Sequence, residues 1–194
     1  MDAVRKSIGG LGNLMFKQAF LIGKMLDGEI PDVYVQSPKY WTKHTDKIKE
    51  TFSNGIGKTN AVAIHIRRGD YLDTDFHTDL SNTNYYQDAV KNFPNENFLV
   101  FCKDGQDYKK DVEDREWCYK FMKSLGVKWE FTPMNNSEFQ DLNLMSSCKG
   151  IIMANSSFSW WAAFLSNSYT IICPKKWFAD GVHRIDLLDE WILI

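Results

Sequence analysis

Apolar and polar positions along this chain change rhythm at two places. Near the amino end a brief apolar stretch, residues 4–8, is interrupted by Arg5 and Lys6. A glycine-rich turn, Gly9-Gly10-Leu11-Gly12-Asn13, then leads into a strongly apolar run over 14–26 that predicts a helix. Asp27-Gly28 and Pro31 mark a turn, and Val33-Tyr34-Val35 reads as a short strand. Ser37 followed by Pro38 has the form of an N-cap and first helical position, predicting a second helix to about Phe52. Residues 53–58, with glycines and an asparagine, form the candidate domain boundary.

Beyond that boundary short apolar runs alternate regularly with helical patterns. Strands are predicted at 61–66, 98–102, 127–131, 151–153 and 170–173, with helices at 83–92, 108–125, 138–148 and around Trp160-Trp161. Asp104-Gly105 turns the chain into the second of these helices, and Gly126 stands where a left-handed C-cap ends it. Asn136 or Ser137 caps the third, in which Phe139, Leu142, Met145 and Cys148 recur every three residues. Residues 67–82 form a long polar loop holding Asp70, Asp73, Asp75, His77 and Asp79, and loops of that length are usually functional. Strands and helices that alternate in this way imply right-handed crossovers and a parallel sheet. The expected fold class is therefore α/β, with one complete Rossmann-like domain over 59–194 and a reduced amino-terminal region over 1–58. No internal repeat or low-complexity segment appears.

Composition narrows the function classes. The chain has 194 residues, 44% hydrophobic and 25% charged, as expected of an ordinary globular protein. A net charge of -2 and a pI near 6.1 argue against a nucleic-acid partner or an anionic membrane held by bulk charge, so any phosphate recognition must be local. Aromatic residues make up 14%, including seven tryptophans, enough to fill a core and to furnish a cleft for stacking sugars or bases. Cys102, Cys118, Cys148 and Cys173 lack metal-site spacing and read as reduced, mostly buried thiols of a cytoplasmic protein. The first residues carry no signal-type apolar run, and no window approaches the ~20 residues that span a bilayer. Peripheral membrane contact and self-association stay open.

Two loops that leave strand ends have unusual polarity. In His65-Ile66-Arg67-Arg68-Gly69-Asp70-Tyr71 the strand's alternation sends His65 and Arg67 to one face and Arg68 to the other. Cations at a strand's carboxyl end suit an anionic ligand, although an Arg-Arg pair with Asp70 as counter-ion also reads as a solvated loop. In Asn155-Ser156-Ser157-Phe158-Ser159, hydroxyls cluster at a helix start, where free N–H groups hold phosphate oxygens. Capping explains one serine, Ser156 or Ser159, but three less well. The glycine turn before residue 14 is the arrangement that presents backbone N–H groups to an anion, but it has neither the dinucleotide nor the P-loop signature. Asp141, on the polar face of its helix, is placed to meet a nucleobase edge or solvent.

Gly9-Gly10-Leu11-Gly12-Asn13, His65-Ile66-Arg67-Arg68-Gly69-Asp70-Tyr71 and Asn155-Ser156-Ser157-Phe158-Ser159-Trp160-Trp161-Ala162-Ala163 resemble, in order, the three motif blocks of the α-1,2-fucosyltransferases, glycosyltransferase family 11. The likeness extends through 61–177, including Pro174-Lys175-Lys176-Trp177, and touches Tyr34 to Tyr40. The resemblance implies a GT-B-like fold and inverting transfer of fucose from GDP-fucose, the donor substrate, to a sugar hydroxyl of a glycan acceptor. It implies no metal and no other cofactor. Carried over by position, Arg67 contacts the diphosphate, His65 and Arg68 shape that pocket, and Asp70 orders the loop or binds the donor. Gly10, Gly12, Asp141, Asn155, Ser156, Ser157 and Phe158 join the donor site, and Asn13 approaches from the opposing domain. With the diphosphate as leaving group, fixed arginine and N–H donors must take up its charge. A proton acceptor is also needed, and His65, Asp70, Asp73, Asp75, His77 and Asp79 all qualify.

The pattern departs from the family in one respect. His65 follows Asn13 by only 52 positions, whereas the family has far more there. The leading expectation is a fucosyltransferase with a pared-down first domain. The alternatives are a GDP-sugar-binding module without transferase activity, and a related enzyme with another GDP-sugar or a peptide or lipid-linked acceptor.

Overall fold

The computed structural model describes residues 10–27, 37–53, 57–102, 109–182 and 185–194. The expected short strands at 4–8 and 33–35, Gly9 of the glycine turn and the turn at Asp104-Gly105 lie outside the described residues. Among those described, the helices are α1 (Leu11–Leu26), α2 (Thr45–Phe52), α3 (Tyr85–Val90), α4 (Lys109–Ser124), α5 (Glu138–Ser146) and α6 (Ser157–Leu165). The strands are β1 (Thr59–His65), β2 (Asn97–Phe101), β3 (Lys128–Phe131), β4 (Cys148–Ile152), β5 (Thr170–Cys173) and β6 (Ile192–Leu193).

All six strands pair in parallel in the order β3-β2-β1-β4-β5-β6, a Rossmann-like sheet. The order reverses between β1 and β4. Loops leaving those two adjacent strands diverge to opposite sides and open a crevice between them. Side-chain alternation divides the core into two layers. Ala63, Leu99, Phe101, Ile151 and Ile171 face α1, α2, α5 and α6, whereas Val62, Ile64, Phe98, Val100, Ile152 and Ile172 face α3 and α4. The first layer is aromatic. Phe16 of α1 lies 4.6–5.8 Å from the rings of Trp41, Trp160 and Trp161, so residues from before position 58 share one core with the sheet.

Several elements differ from their sequence patterns. The helix expected from Ser37 to Phe52 is two 3-10 turns, Pro38–Tyr40 and Thr42–His44, followed by α2. Ser37 does cap, accepting from the Lys39 N–H at 3.3 Å, but Trp41 then turns inward and stacks on Trp161 at 5.9 Å. Burying a whole indole outweighs the few hydrogen bonds of a continued helix. Gly23 of α1 permits this approach, since a Cβ there would stand 3.0 Å from the Trp41 Cβ. Helix α5 ends at Ser146, so Cys148 opens β4 instead of closing the helical stripe, and Phe139 is exposed. Strand β6 has too few residues for any periodic signature. As expected, Gly126 after α4 has φ +67°. Three of the four cysteines are buried, Cys102 is half-buried, and none is in a disulfide.

Candidate active site

A cavity of about 980 Å³ opens where the sheet order reverses, at the carboxyl ends of β1, β2 and β4. One wall is built from two helix starts. Helix α1 begins at Leu11 with Gly10 as N-cap, so Leu11, Gly12 and Asn13 form its first turn, which the sequence pattern had treated as a loop. Helix α6 begins at Ser157 with Ser156 as N-cap. They touch at Gly12: a Cβ there would lie 2.5 Å from the Ser157 carbonyl carbon and 2.6 Å from the Phe158 nitrogen. Only glycine allows that approach, and it brings two positive helix ends to one cavity.

The serines divide their work. Ser156 Oγ accepts from the Phe158 N–H at 3.3 Å, and fully buried Ser159 donates to the Ala154 and Ser156 carbonyls at 3.0 and 3.2 Å. Ser157 stands on the cavity wall beside Ser156 and Phe158. Asn155, almost wholly buried, also lines the cavity but works as a clip. Its Nδ2 donates to the carbonyls of Thr78 and Trp177 at 2.9 and 2.8 Å, joining the loop after β1 to the segment after β5.

The two arginines part as the alternation predicts. Arg67 reaches the cavity, donating from Nη2 to Asp70 Oδ1 at 2.7 Å with its guanidinium 5.3 Å from the Tyr71 ring centre. Arg68 does not line the cavity. It crosses to the other layer, where its Nε donates to Asp114 Oδ1 at 3.1 Å, its Nη1 to Ser81 Oγ at 2.6 Å, and its guanidinium lies 4.3 Å from the Trp117 ring centre. Buried Asp114 also accepts from the Gly69 N–H at 2.5 Å, and Gly69 has φ +47°. One carboxylate thereby sets the turn that aims Arg67.

Of the six proton-acceptor candidates, His65, Asp70 and His77 line the cavity, whereas Asp73, Asp75 and Asp79 do not. Asp79 accepts from the Ser81 N–H at 3.0 Å and from Asn82 Nδ2 at 2.6 Å, closing a 3-10 turn. His65 is packed 5.7 Å from the Phe158 ring, and burial, aided by the Arg67 charge, pulls its pKa down to about 3. It is a neutral wall residue at physiological pH and too weak a base for proton abstraction. His77 stacks on Tyr71 at 3.8 Å and is also shifted down by burial, with Asp70 opposing and Arg67 adding to the shift.

The far wall carries Asp141, which the family resemblance had placed in the donor site, beside Asp111, Arg115 and Glu138, which the sequence pattern had left as solvated helix faces. Arg115 and Asp111, one turn apart on α4, line the cavity, and the Arg115 guanidinium lies 4.0 Å from the Phe131 ring centre. Glu138 and Asp141 come from the first turn of α5, and Asp141 accepts from Asn136 Nδ2 at 2.8 Å. The one-turn spacing of Asp111 and Arg115 was the available signal, but it is also that of any surface ion pair. The site is thus cationic and N–H-rich beside β1 and α6, and carboxylate-rich beside β3 and α5.

A family model described as glycosyl transferase family 11 matches residues 32–194. The chain belongs to glycosyl transferase family 11. Its family-11 relatives include the alpha-1,2-colitosyltransferase of Escherichia coli, 33% identical over 186 residues covering 82% of this chain and 60% of the relative. A second is the O-antigen biosynthesis glycosyltransferase WbnK of Escherichia coli, 32% identical over 152 residues, covering 69% of this chain and 44% of the relative. The chain thus spans about half the length of the curated relatives it matches. No solved structure matches it. The family match takes in Arg67, Asp70 and the 155–159 serine turn, while Gly10, Gly12 and Asn13 precede it and reach the cavity through the packing of α1 on α6. Among the described residues, no helix is long and apolar enough to cross a membrane.

Proposed function

We propose that this family-11 protein is an inverting glycosyltransferase that binds a GDP-sugar in the cavity and transfers its sugar, fucose in the first instance, to a hydroxyl of a glycan. The observation that carries this reading is the convergence of Arg67 with the first turns of α1 and α6 on one cavity at the sheet's reversal point. In this reading the diphosphate lies against Arg67, Ser157 and the first-turn amides beside Gly10, Gly12 and Asn13. As the glycosyl bond breaks, charge accumulates on the phosphate oxygens, and preorganised donors hold it without a metal. Removing one such donor typically costs ~10²–10³ in rate. The acceptor proton passes to Asp70 or His77.

The carboxylate-rich end takes the base. Asp141 is held by Asn136, and a carboxylate so placed suits the N–H donors on one edge of guanine. Arg68 supports the donor from outside the cavity, through Asp114 and Gly69. A GDP-sugar donor places the reaction in the cytoplasm, in glycan assembly. In a GT-B arrangement the acceptor side would come from the region before residue 58. A relative named for colitosyl transfer supports testing a nucleotide-linked colitose as second donor.

The test is incubation with GDP-fucose and galactose-terminated acceptors, following GDP release against a water-only control. GDP release that requires an acceptor is expected, and Arg67→Ala should abolish both GDP binding and release. Tight GDP binding with no turnover of either donor on any acceptor would instead leave a binding module, and wild-type GDP affinity in Arg67→Ala would remove the diphosphate assignment.

A further inference from the structure

Next to Arg67 the cavity rim carries an aromatic surface whose exposed ring, Phe76, the reading above leaves unassigned. Tyr71 and His77 stack at 3.8 Å with an interplanar angle of 7°. Phe76 meets His77 edge-on at 4.9 Å and tilts against Phe178, also at 4.9 Å. Phe178 is buried, whereas Phe76 is 48% exposed. A lone exposed phenylalanine on a loop is ordinary. This one is held in place from behind. The Ala179 N–H donates to the Phe76 carbonyl at 3.0 Å, the Thr78 N–H to the Trp177 carbonyl at 3.4 Å, and His77 and Phe178 form an antiparallel bridge. Asn155 fastens both sides of that bridge through Thr78 and Trp177, and the Tyr71 hydroxyl donates to the Asn155 carbonyl at 3.1 Å. The chain thus spends a buried carboxamide and a cross-loop bridge on keeping a half-exposed ring in one place.

The position and chemistry of that ring specify a ligand. The aromatic series runs outward from Arg67: its guanidinium lies over Tyr71, Tyr71 stacks on His77, and His77 abuts Phe76. Phe76 thus lines the same cavity as Arg67, with Tyr71 and His77 between them. A β-pyranoside presents a face of C–H bonds, apolar and slightly positive, and an aromatic face is apolar and negative, so the two stack. The hydroxyl edge of the sugar needs acceptors. Asp70 lines the same cavity, and Arg67 uses one bond of a carboxylate that can accept several.

We propose that the Phe76–His77–Phe178 platform is the acceptor subsite, stacking the apolar face of a pyranoside on the Phe76 ring while Asp70 accepts from one of its hydroxyls. The proposal rests on the glycosyltransferase reading above. Its test position, Phe76, is apart from the residues assigned to donor binding, whereas Asp70 is shared with Arg67. The proposal gives the acceptor's apolar face to the sheet-bearing side of the cleft, where a GT-B arrangement by itself would assign the acceptor to the region before residue 58.

The test measures binding of methyl β-D-galactopyranoside and methyl β-D-glucopyranoside by saturation-transfer NMR, with and without GDP, in the full chain and in Phe76→Ala and Phe76→Trp. At least one pyranoside should show transfer to its ring C–H protons. Phe76→Ala should weaken it by about tenfold or more, the usual scale for truncating an aromatic anchor, and Phe76→Trp should restore it. GDP affinity, measured by calorimetry, should be the same in all three proteins and shows that the variants are folded. Equal pyranoside binding in wild type and Phe76→Ala overturns the proposal, as does wild-type protein that binds GDP but no pyranoside. Loss of GDP-fucose affinity in Phe76→Ala, with pyranoside binding intact, also overturns it and gives the platform to the donor's own sugar. If GDP fails to bind at all, the donor reading falls, while the response of pyranoside binding to Phe76→Ala still decides the platform.

Discussion

Arg67 and Arg68 are adjacent in the chain, and their side chains lie in different layers of the molecule. Arg67 faces the cavity and pairs with exposed Asp70, whereas Arg68 lies between Asp114, Ser81 and Trp117. Their substitutions should therefore separate ligand binding from stability. Arg68→Ala leaves the Asp114 carboxylate 6% exposed with its cationic partner gone, and breaking a buried pair in this way costs about 3 kcal/mol. Urea denaturation should show that loss in Arg68→Ala and almost none in Arg67→Ala. The same stability in both variants would mean that Arg68 is not structurally engaged. The alternation of one strand was enough to send the two arginines to opposite faces. Asp114, 45 and 46 positions from its two partners, was invisible because a buried aspartate in a charged helix has the same local pattern as an exposed one.

At the scale of elements, the crossing of α1 and α6 decides the shape of one cavity wall. Gly12→Ala should gain about 1 kcal/mol of helix propensity. It would also force a Cβ to within 2.5 Å of the α6 backbone, which has no flexible end to move aside. Overpacking of that kind costs about 1–3 kcal/mol, so the net change should be destabilising, and GDP should bind about tenfold more weakly as the two helix starts separate. Gly10→Ala meets nothing within 4 Å and serves as the comparison, with a loss of about 1 kcal/mol or less from its N-cap position. Thermal melts of the two variants check this, and equal effects would remove the helix-crossing account. Trp41 shows the same contest between local and distant forces. A capped, proline-initiated helix is locally sound, yet it breaks because the indole belongs against Phe16 and Trp161.

For the whole molecule, buried His65 links stability to pH. Its folded pKa of about 3 lies below the ordinary 6.5, so the unfolded chain takes up a proton that the folded chain refuses. The stabilisation is present above pH 6.5 and is lost as pH falls from there toward 3. Between pH 7 and pH 5 it amounts to roughly 2 kcal/mol. Denaturation of wild type and His65→Gln at both pH values should show the wild type losing about that much more. Parallel losses would assign the acid sensitivity to other groups. The same shift removes His65 from the list of bases, which no spacing in the sequence could have done.

Alone, the sequence determined the alternation of strands and helices, the parallel α/β class and the two polar loops that line the cavity. These depend on interactions between near neighbours: a period of two or of about 3.6, a glycine C-cap, a serine at a helix start. Tertiary structure decided the rest. The position of β4 beside β1 makes the crevice, and the contact at Gly12 brings two helix ends to it. Asn155 ties two loops into a platform for Phe76, and Asp111 and Arg115 line the cavity instead of a solvated helix face. Each of these is a contact between groups far apart in the chain. Such contacts form only once the whole chain has chosen one packing, so no short window of sequence contains them.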